Sequence, residues 1–204
     1  EPLQLSELRA LRELDLGGNP HLHVGWLQAL QHATGLTALG LSGCRKATMP
    51  SQLSSLASLQ MLDFSNKGSS DGSEEMTLWP LQYLTCLTRL NLSECWLRAL
   101  PSYLSSLTRL EDLSIGKNCH HQGTLAARLQ PLRHFTGLTR LDLSSCMLSS
   151  LPTPLPDLQS LQVLQLSNNC LGLRMGALAP LSKLTNLTSL DLTSCHLTRW
   201  PAGI

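Results

Sequence analysis

Charge is scarce in this sequence. Only 14 % of its 204 residues are charged, 15 Lys and Arg against 14 Asp and Glu, for a formal net charge of +1. An average soluble domain carries roughly 25 %. A near-neutral chain has no field with which to gather nucleic acid or an anionic membrane surface, so neither is expected as a partner. No apolar run approaches the roughly 20 residues of a membrane-spanning helix. Nor does a basic start lead into an apolar stretch, as a secretory signal requires. Catalytic motifs are missing too. There is no glycine-rich phosphate loop, no nucleophile elbow and no HExxH helix, which argues for a non-enzymatic chain with no cofactor and no small-molecule substrate in evidence. Seven cysteines are present, but none stands in a paired CxxC. The run Cys119-His120-His121 falls short of the four protein ligands that a structural zinc takes, so no metal is expected.

What the chain does have is a repeat. Leu138 to Pro152 reads LTRLDLSSCMLSSLP, that is Leu-x-x-Leu-x-Leu-x-x-Cys, an apolar tail and Leu-Pro. The same frame fits at Leu11, Leu36, Leu59, Leu87, Leu110, Leu138, Leu161 and Leu187, spaced by 25, 23, 28, 23, 28, 23 and 26 residues. The frame, its eight matches in register and its spacing resemble the leucine-rich-repeat superfamily over essentially the whole chain. Its alternating form, with LTRLDLSSC and Leu-Pro, most resembles repeats of plant and green-algal proteins. The resemblance implies an α/β leucine-rich-repeat solenoid, a curved horseshoe. Its concave face carries a parallel β-ribbon, and its convex face carries 3₁₀ turns, short α-helices and loops. Residues 1–204 then form one domain, since a solenoid grows along one axis without separate cores.

Pro2, Leu5 and Leu8 stand before Leu11 as Pro50, Leu53 and Leu56 stand before Leu59, and Pro201 and Ile204 begin the same back half again. Solenoids need polar caps over their open ends. No such cap is seen, so the sequence reads as an uncapped segment of a longer protein.

The repeats are of two kinds. The short kind ends in a proline tail at Pro50, Pro101, Pro152 and Pro201, followed by apolar residues at three-residue steps such as Leu104, Leu107 and Leu110. That step suits a 3₁₀-like turn or one helical turn. The long kind places Leu27, Leu78, Leu129 and Leu178 nine residues before the next frame, with Pro80, Pro131 and Pro180 close by. Proline is tolerated in a first helical turn, so short convex helices are expected there, one in every second repeat.

The ninth frame position carries Asn19, Cys44, Lys67, Cys95, Asn118, Cys146, Asn169 and Cys195. Asn alternating with Cys resembles the family's ladder, in which small polar side chains satisfy buried backbone groups. Lys67 breaks the pattern. An ammonium has donors and no acceptor, so the ladder is expected to fail in that repeat, and Gly68 to Glu75 is expected to bulge as a loop. Ladder cysteines two repeats apart sit about 10 Å from each other, beyond the roughly 7 Å Cα limit of a disulfide. Free thiols in this number point to an intracellular, cytoplasmic setting.

Within each strand the leucines face inward and alternate residues face the concave side. The central row reads Asp15, Gly40, Asp63, Asn91, Ser114, Asp142, Gln165 and Asp191; the row before it reads Glu13, Ala38, Met61, Arg89, Asp112, Arg140, Val163 and Ser189. The Asp and Ser positions follow the repeat's own LDLS consensus. Arg89, Asp112 and Arg140 depart from the small-residue background and should stand side by side on adjacent strands. Two readings stay open for them: bidentate capture of a partner's carboxylates, or mutual neutralisation through Asp112. Trp96, just past the ladder, is either an exposed interface anchor or core. Trp26, Trp79 and Trp200 read as packing residues.

The expected function is protein–protein recognition or scaffolding within a larger assembly, through Arg89, Asp112, Arg140, Asp142 and Trp96 on or near the concave face. Two other readings use the same face: a sensor or receptor region, and a substrate-recognition region attached to an enzymatic domain elsewhere.

Overall fold

Each frame puts its fourth residue at the centre of a three-residue strand: β1 (Glu13–Asp15), β2 (Ala38–Gly40), β3 (Met61–Asp63), β4 (Arg89–Asn91), β5 (Asp112–Ser114), β6 (Arg140–Asp142), β7 (Val163–Gln165) and β8 (Ser189–Asp191). These come from a computed structural model that describes residues 7–8, 10–22, 28–44, 49–67, 77–118 and 128–198. All eight strands pair in parallel in chain order. The register is constant, so Arg89 aligns with Asp112 and Asp112 with Arg140. With about 4.8 Å between strands, the ribbon is about 34 Å long.

The central leucines make the core. Leu39, Leu62, Leu90, Leu113, Leu141 and Leu164 are buried, and they join one continuous cluster with the inward leucines of the back side. Leu14 and Leu190, with a described strand on one side only, are partly buried. At about 25 cal/mol per Å² of apolar area, this column supplies the main stabilisation.

Behind the ribbon run 3₁₀ turns. Five-residue turns cover Gln28–His32, Ser51–Ser55, Trp79–Tyr83, Ser102–Ser106, Gln130–His134 and Ala179–Lys183, and three-residue turns cover Leu155–Asp157 and Leu171–Leu173. The short α-helices expected in alternate repeats are absent among the described residues; both kinds of repeat turn in the same way. The leucine triplets explain it. Leu81 donates its amide to Leu78, Leu84 to Leu81 and Leu87 to Leu84, each at 3.0 Å. A three-residue period keeps all three side chains over the core, whereas a 3.6-residue period rotates them away. Trp79 is 40 % exposed, edge-on to Tyr83, and not the packing residue its position suggested.

The donor side of the ladder is continuous, and here the expectation for Lys67 is overturned in half. Side chains at the ninth position donate to the carbonyl of the sixth residue in the preceding repeat: Cys44 Sγ to Leu16, Cys95 Sγ to Phe64, Asn118 Nδ2 to Leu92, Cys146 Sγ to Ile115, Asn169 Nδ2 to Leu143 and Cys195 Sγ to Leu166. Lys67 makes the same bond, Nζ to the Leu41 oxygen at 2.6 Å, from a buried position. A donor suffices for that half of the job; the missing acceptor is felt elsewhere. Asn118 Oδ1 accepts the amides of Cys95 and Leu97, and Asn169 Oδ1 those of Cys146 and Leu148. With no such oxygen on Lys67, the Cys44 amide turns back to Leu41 at 3.4 Å. Asn19 bonds carbonyls of its own repeat, Leu16 and Gly17. A second ladder accompanies the first in the short repeats. Thr37, Thr88, Thr139 and Thr188 donate their hydroxyls to the carbonyls of Arg12, Gln60, Glu111 and Gln162.

No disulfide joins Cys44, Cys86, Cys95, Cys146, Cys170 or Cys195 among the described residues. The readings made for Gly68 to Glu75, for the Cys119-His120-His121 run, for Trp26 and Trp200, and for the half-repeats at Pro2 and Pro201 lie outside the described residues.

Candidate functional site

The constant register sets the spacing of the charged row. Arg89, Asp112 and Arg140 occupy the first residues of β4, β5 and β6. Their Cα positions step by about 4.8 Å, which places the two arginines about 10 Å apart. Both guanidiniums are exposed and Asp112 is half-buried. Among the described residues no ion pair within 4 Å joins either arginine to Asp112; the ion pair that does form, Lys117 to Glu94 at 2.7 Å, lies past the strand ends. Of the two readings left open by the sequence, direct neutralisation is therefore not what the structure shows. The row is flanked by apolar residues, Met61 on β3, 39 % exposed, and Val163 on β7.

A depression of about 420 Å³ opens beside Arg140, lined by Asp112, Ser114, Arg140, Leu141, Asp142, Val163 and Gln165. It brings together three of the five predicted site residues. Arg89 stands one strand outside it. Trp96 does not line it: that residue sits beyond β4, half-buried, with a left-handed backbone at φ 57°. Met147 and His196 occupy the same place in later repeats, both exposed and both left-handed.

Asp142 has a structural task. Its Oδ1 accepts the Ser144 amide at 2.8 Å, and its Oδ2 accepts the Ser114 hydroxyl at 3.0 Å, which in turn meets Ser93 at 2.7 Å. The first of these bonds recurs along the row, at Asp15 to Gly17, Asp63 to Ser65, Asn91 to Ser93 and Asp191 to Thr193. An Asx side chain that accepts the amide two residues on closes the end of a strand. At Asp191 the Thr193 hydroxyl, and then its amide, hold the carboxyl below its ordinary range. The LDLS consensus is thus a strand-end device.

A family profile described as a leucine-rich repeat region matches residues 2–204. This chain belongs to the leucine-rich-repeat family. Two curated relatives are the volume-regulated anion channel subunits LRRC8E of Xenopus tropicalis and Xenopus laevis, each 30 % identical over 178 residues, covering 82 % of this chain. The leucine-rich-repeat chain spans about a fifth of their length, 20 %. Among solved structures, an internalin of Listeria monocytogenes, inlF, superposes with a TM-score of 0.64 at 24 % identity, over 96 % of this chain and 62 % of that one. A leucine-rich-repeat protein of Leptospira interrogans gives 0.68 at 22 %, over 100 % and 54 %, and internalin C2 of Listeria monocytogenes gives 0.66 at 28 %, over 93 % and 74 %. These frog and bacterial proteins lend no support to a plant or green-algal likeness.

Leucine-rich-repeat proteins are in general non-enzymatic modules for binding other proteins. No helix among the described residues is long and apolar enough to cross a membrane. The sequence reading passed over Val163, Gln165 and Ser114, which line the depression. Their signal was register alone: each occupies the position of a chosen residue on a neighbouring strand.

Proposed function

We propose that this leucine-rich-repeat chain is a non-enzymatic recognition or scaffolding module that holds a protein partner on its concave ribbon, within a larger assembly. The observation that carries the reading is the row Arg89-Asp112-Arg140. Two exposed guanidiniums stand in register, unpaired with the carboxylate between them. Each can grip a carboxylate with two parallel hydrogen bonds, and a rigid ribbon lowers the ordering cost of doing so. Met61 and Val163 offer apolar contact at either end of the row. An intracellular, reducing setting is part of the proposal. The ladder cysteines act as S–H donors to carbonyls, a role that oxidation removes.

The test is quantitative crosslinking capture from the source cell extract, with wild type beside Arg89→Ala/Arg140→Ala. Partners that crosslink to wild type and drop by about tenfold or more with the variant support the concave site. Partners retained at wild-type level by the variant overturn it.

A further inference from the structure

Behind the ribbon, away from the row just described, lies an open depression of about 490 Å³ lined by Ala99, Leu100, Ser102, Arg128, Gln130, Pro131, Arg133 and His134. Three of these side chains are basic and none is acidic. Elsewhere the long repeats do not put the two arginines here. Where this one has Arg128, the others have Trp26, Thr77 and Ala177; where it has Arg133, they have Gln31, Gln82 and Ser182; where it has His134, they have His32, Tyr83 and Lys183. In a chain with 14 % charged residues, Arg128 and Arg133 depart from the repeat background as Arg89 and Arg140 do, while His134 stands where other long repeats also carry His32 and Lys183.

The depression is also built to keep its charge. Arg133 donates to the Gln130 side-chain oxygen, and the Gln130 amide is fixed by the Thr153 hydroxyl at 2.8 Å. A neutral amide thus orients the guanidinium without cancelling it, and no acidic residue within 4 Å pairs with Arg128 or Arg133 among the described residues. The backbone of Arg128 is tied in place by its carbonyl, which accepts the Leu100 amide at 3.1 Å. Ala99, Leu100 and Pro131 supply an apolar wall beside the cations.

We propose that this depression is a binding site for an organic phosphate monoester. Guanidinium forks match phosphate oxygens in pairs, and the Ser102 hydroxyl and His134 imidazole add donors of adjustable direction. At about 490 Å³ the depression has room for more than a bare phosphate. The apolar wall takes the ester's organic part. The site is separate from the concave row and does not depend on it.

The measurement is an NMR titration of the His134 ring resonances in the full chain at low ionic strength. The probes are inorganic phosphate, phenyl phosphate and a short phosphoserine peptide. The expected result is a saturable shift with phenyl phosphate, at lower concentration than with inorganic phosphate. Arg128→Ala/Arg133→Ala should weaken it by about tenfold or more, while Arg89→Ala/Arg140→Ala leaves it unchanged. Both arginines are exposed, and circular dichroism checks that the variants fold. Tighter binding of the phosphoserine peptide than of phenyl phosphate places the ester on a protein partner; weaker binding places it on a small molecule. No saturable shift with any probe, or equal affinity in wild type and the Arg128→Ala/Arg133→Ala variant, overturns the site.

Discussion

The ammonium of Lys67 stands 3.6 Å above the centre of the Phe64 ring while it donates to the Leu41 carbonyl. Burial pushes this lysine down to about 8, against the opposing pull of Cys44, Cys95 and Asp63. Burial pushes the Cys95 thiol up to about 12. From pH 8 to 10.5 the unfolded chain keeps a lysine proton that the folded chain has released, so Lys67 makes stability rise with pH. From pH 9 to 12 the folded chain keeps a thiol proton that the unfolded chain has lost, so Cys95 makes it fall. The unfolding free energy read from urea titration should therefore gain about 1 kcal/mol from Lys67 between pH 8 and 9, and level off above that as Cys95 cancels the gain. Lys67→Asn should abolish the rise and be the more stable form at pH 7, by about 1–3 kcal/mol.

Asn118 and Cys146 occupy the same frame position with unequal duties. Asn118 accepts two amides and donates to three carbonyls, those of Leu92, Ile115 and Gly116. The Cys146 thiol donates toward the Ile115 and Ser144 carbonyls, at 3.4 Å each. Asn118→Ala should cost about 3 kcal/mol and Cys146→Ala about 1 kcal/mol, read from chemical denaturation.

Gly172 has no room for a side chain. A Cβ there would lie 2.0 Å from the His196 carbonyl oxygen and 2.7 Å from the Leu197 nitrogen, both backbone atoms that cannot turn aside. Gly172→Ala should lower stability by about 3 kcal/mol or more as the last two repeats separate. Gly176 has a left-handed backbone at φ 74° but nothing within 4 Å of its Cβ position, so Gly176→Ala should cost about 1 kcal/mol. Hydrogen exchange should show the Gly172 damage concentrated in β7 and β8.

On the concave face, the two kinds of charge should come apart. Arg89→Ala and Arg140→Ala remove exposed side chains and should leave stability within about 0.5 kcal/mol of wild type. Asp142→Ala loses the Ser144 and Ser114 bonds and should cost about 1–2 kcal/mol in the same assay.

The strands were legible because a leucine frame in eight registers leaves one arrangement that buries them all. The charged row was legible for the same reason: a constant register turns frame positions into neighbours. The back side misled. Leu78, Leu81 and Leu84 stand at a step that fits a helical turn or a 3₁₀ turn, and Pro80 is tolerated in both, so only the bonds closing onto Leu87 decide it. Lys67 misled for another reason. Its residue type announces a missing acceptor, whereas the reach of its side chain to a carbonyl in the preceding repeat exists only once the repeats are stacked. Asp142 carries a site's chemistry in its residue type and a turn's chemistry in its surroundings.

The alternation of asparagine and cysteine rungs makes two repeats, not one, the translational period of this molecule. Each asparagine oxygen needs a preceding repeat that aims two amides at it, as Cys95 and Leu97 do for Asn118. The segments that do so turn left-handed twice, at Glu94 and Trp96 and again at Ser145 and Met147, whereas the Asn169 repeat turns so at Asn168 and has Cys170 at φ -100°. Excising the single repeat from Leu87 to Arg109 would stack one long repeat on another and leave the Asn118 oxygen without its amides. Excising the pair from Leu87 to Gly137 joins like to like. Length changes in this solenoid are therefore quantised in steps of about 10 Å of ribbon, and duplication or loss would add or remove repeats two at a time.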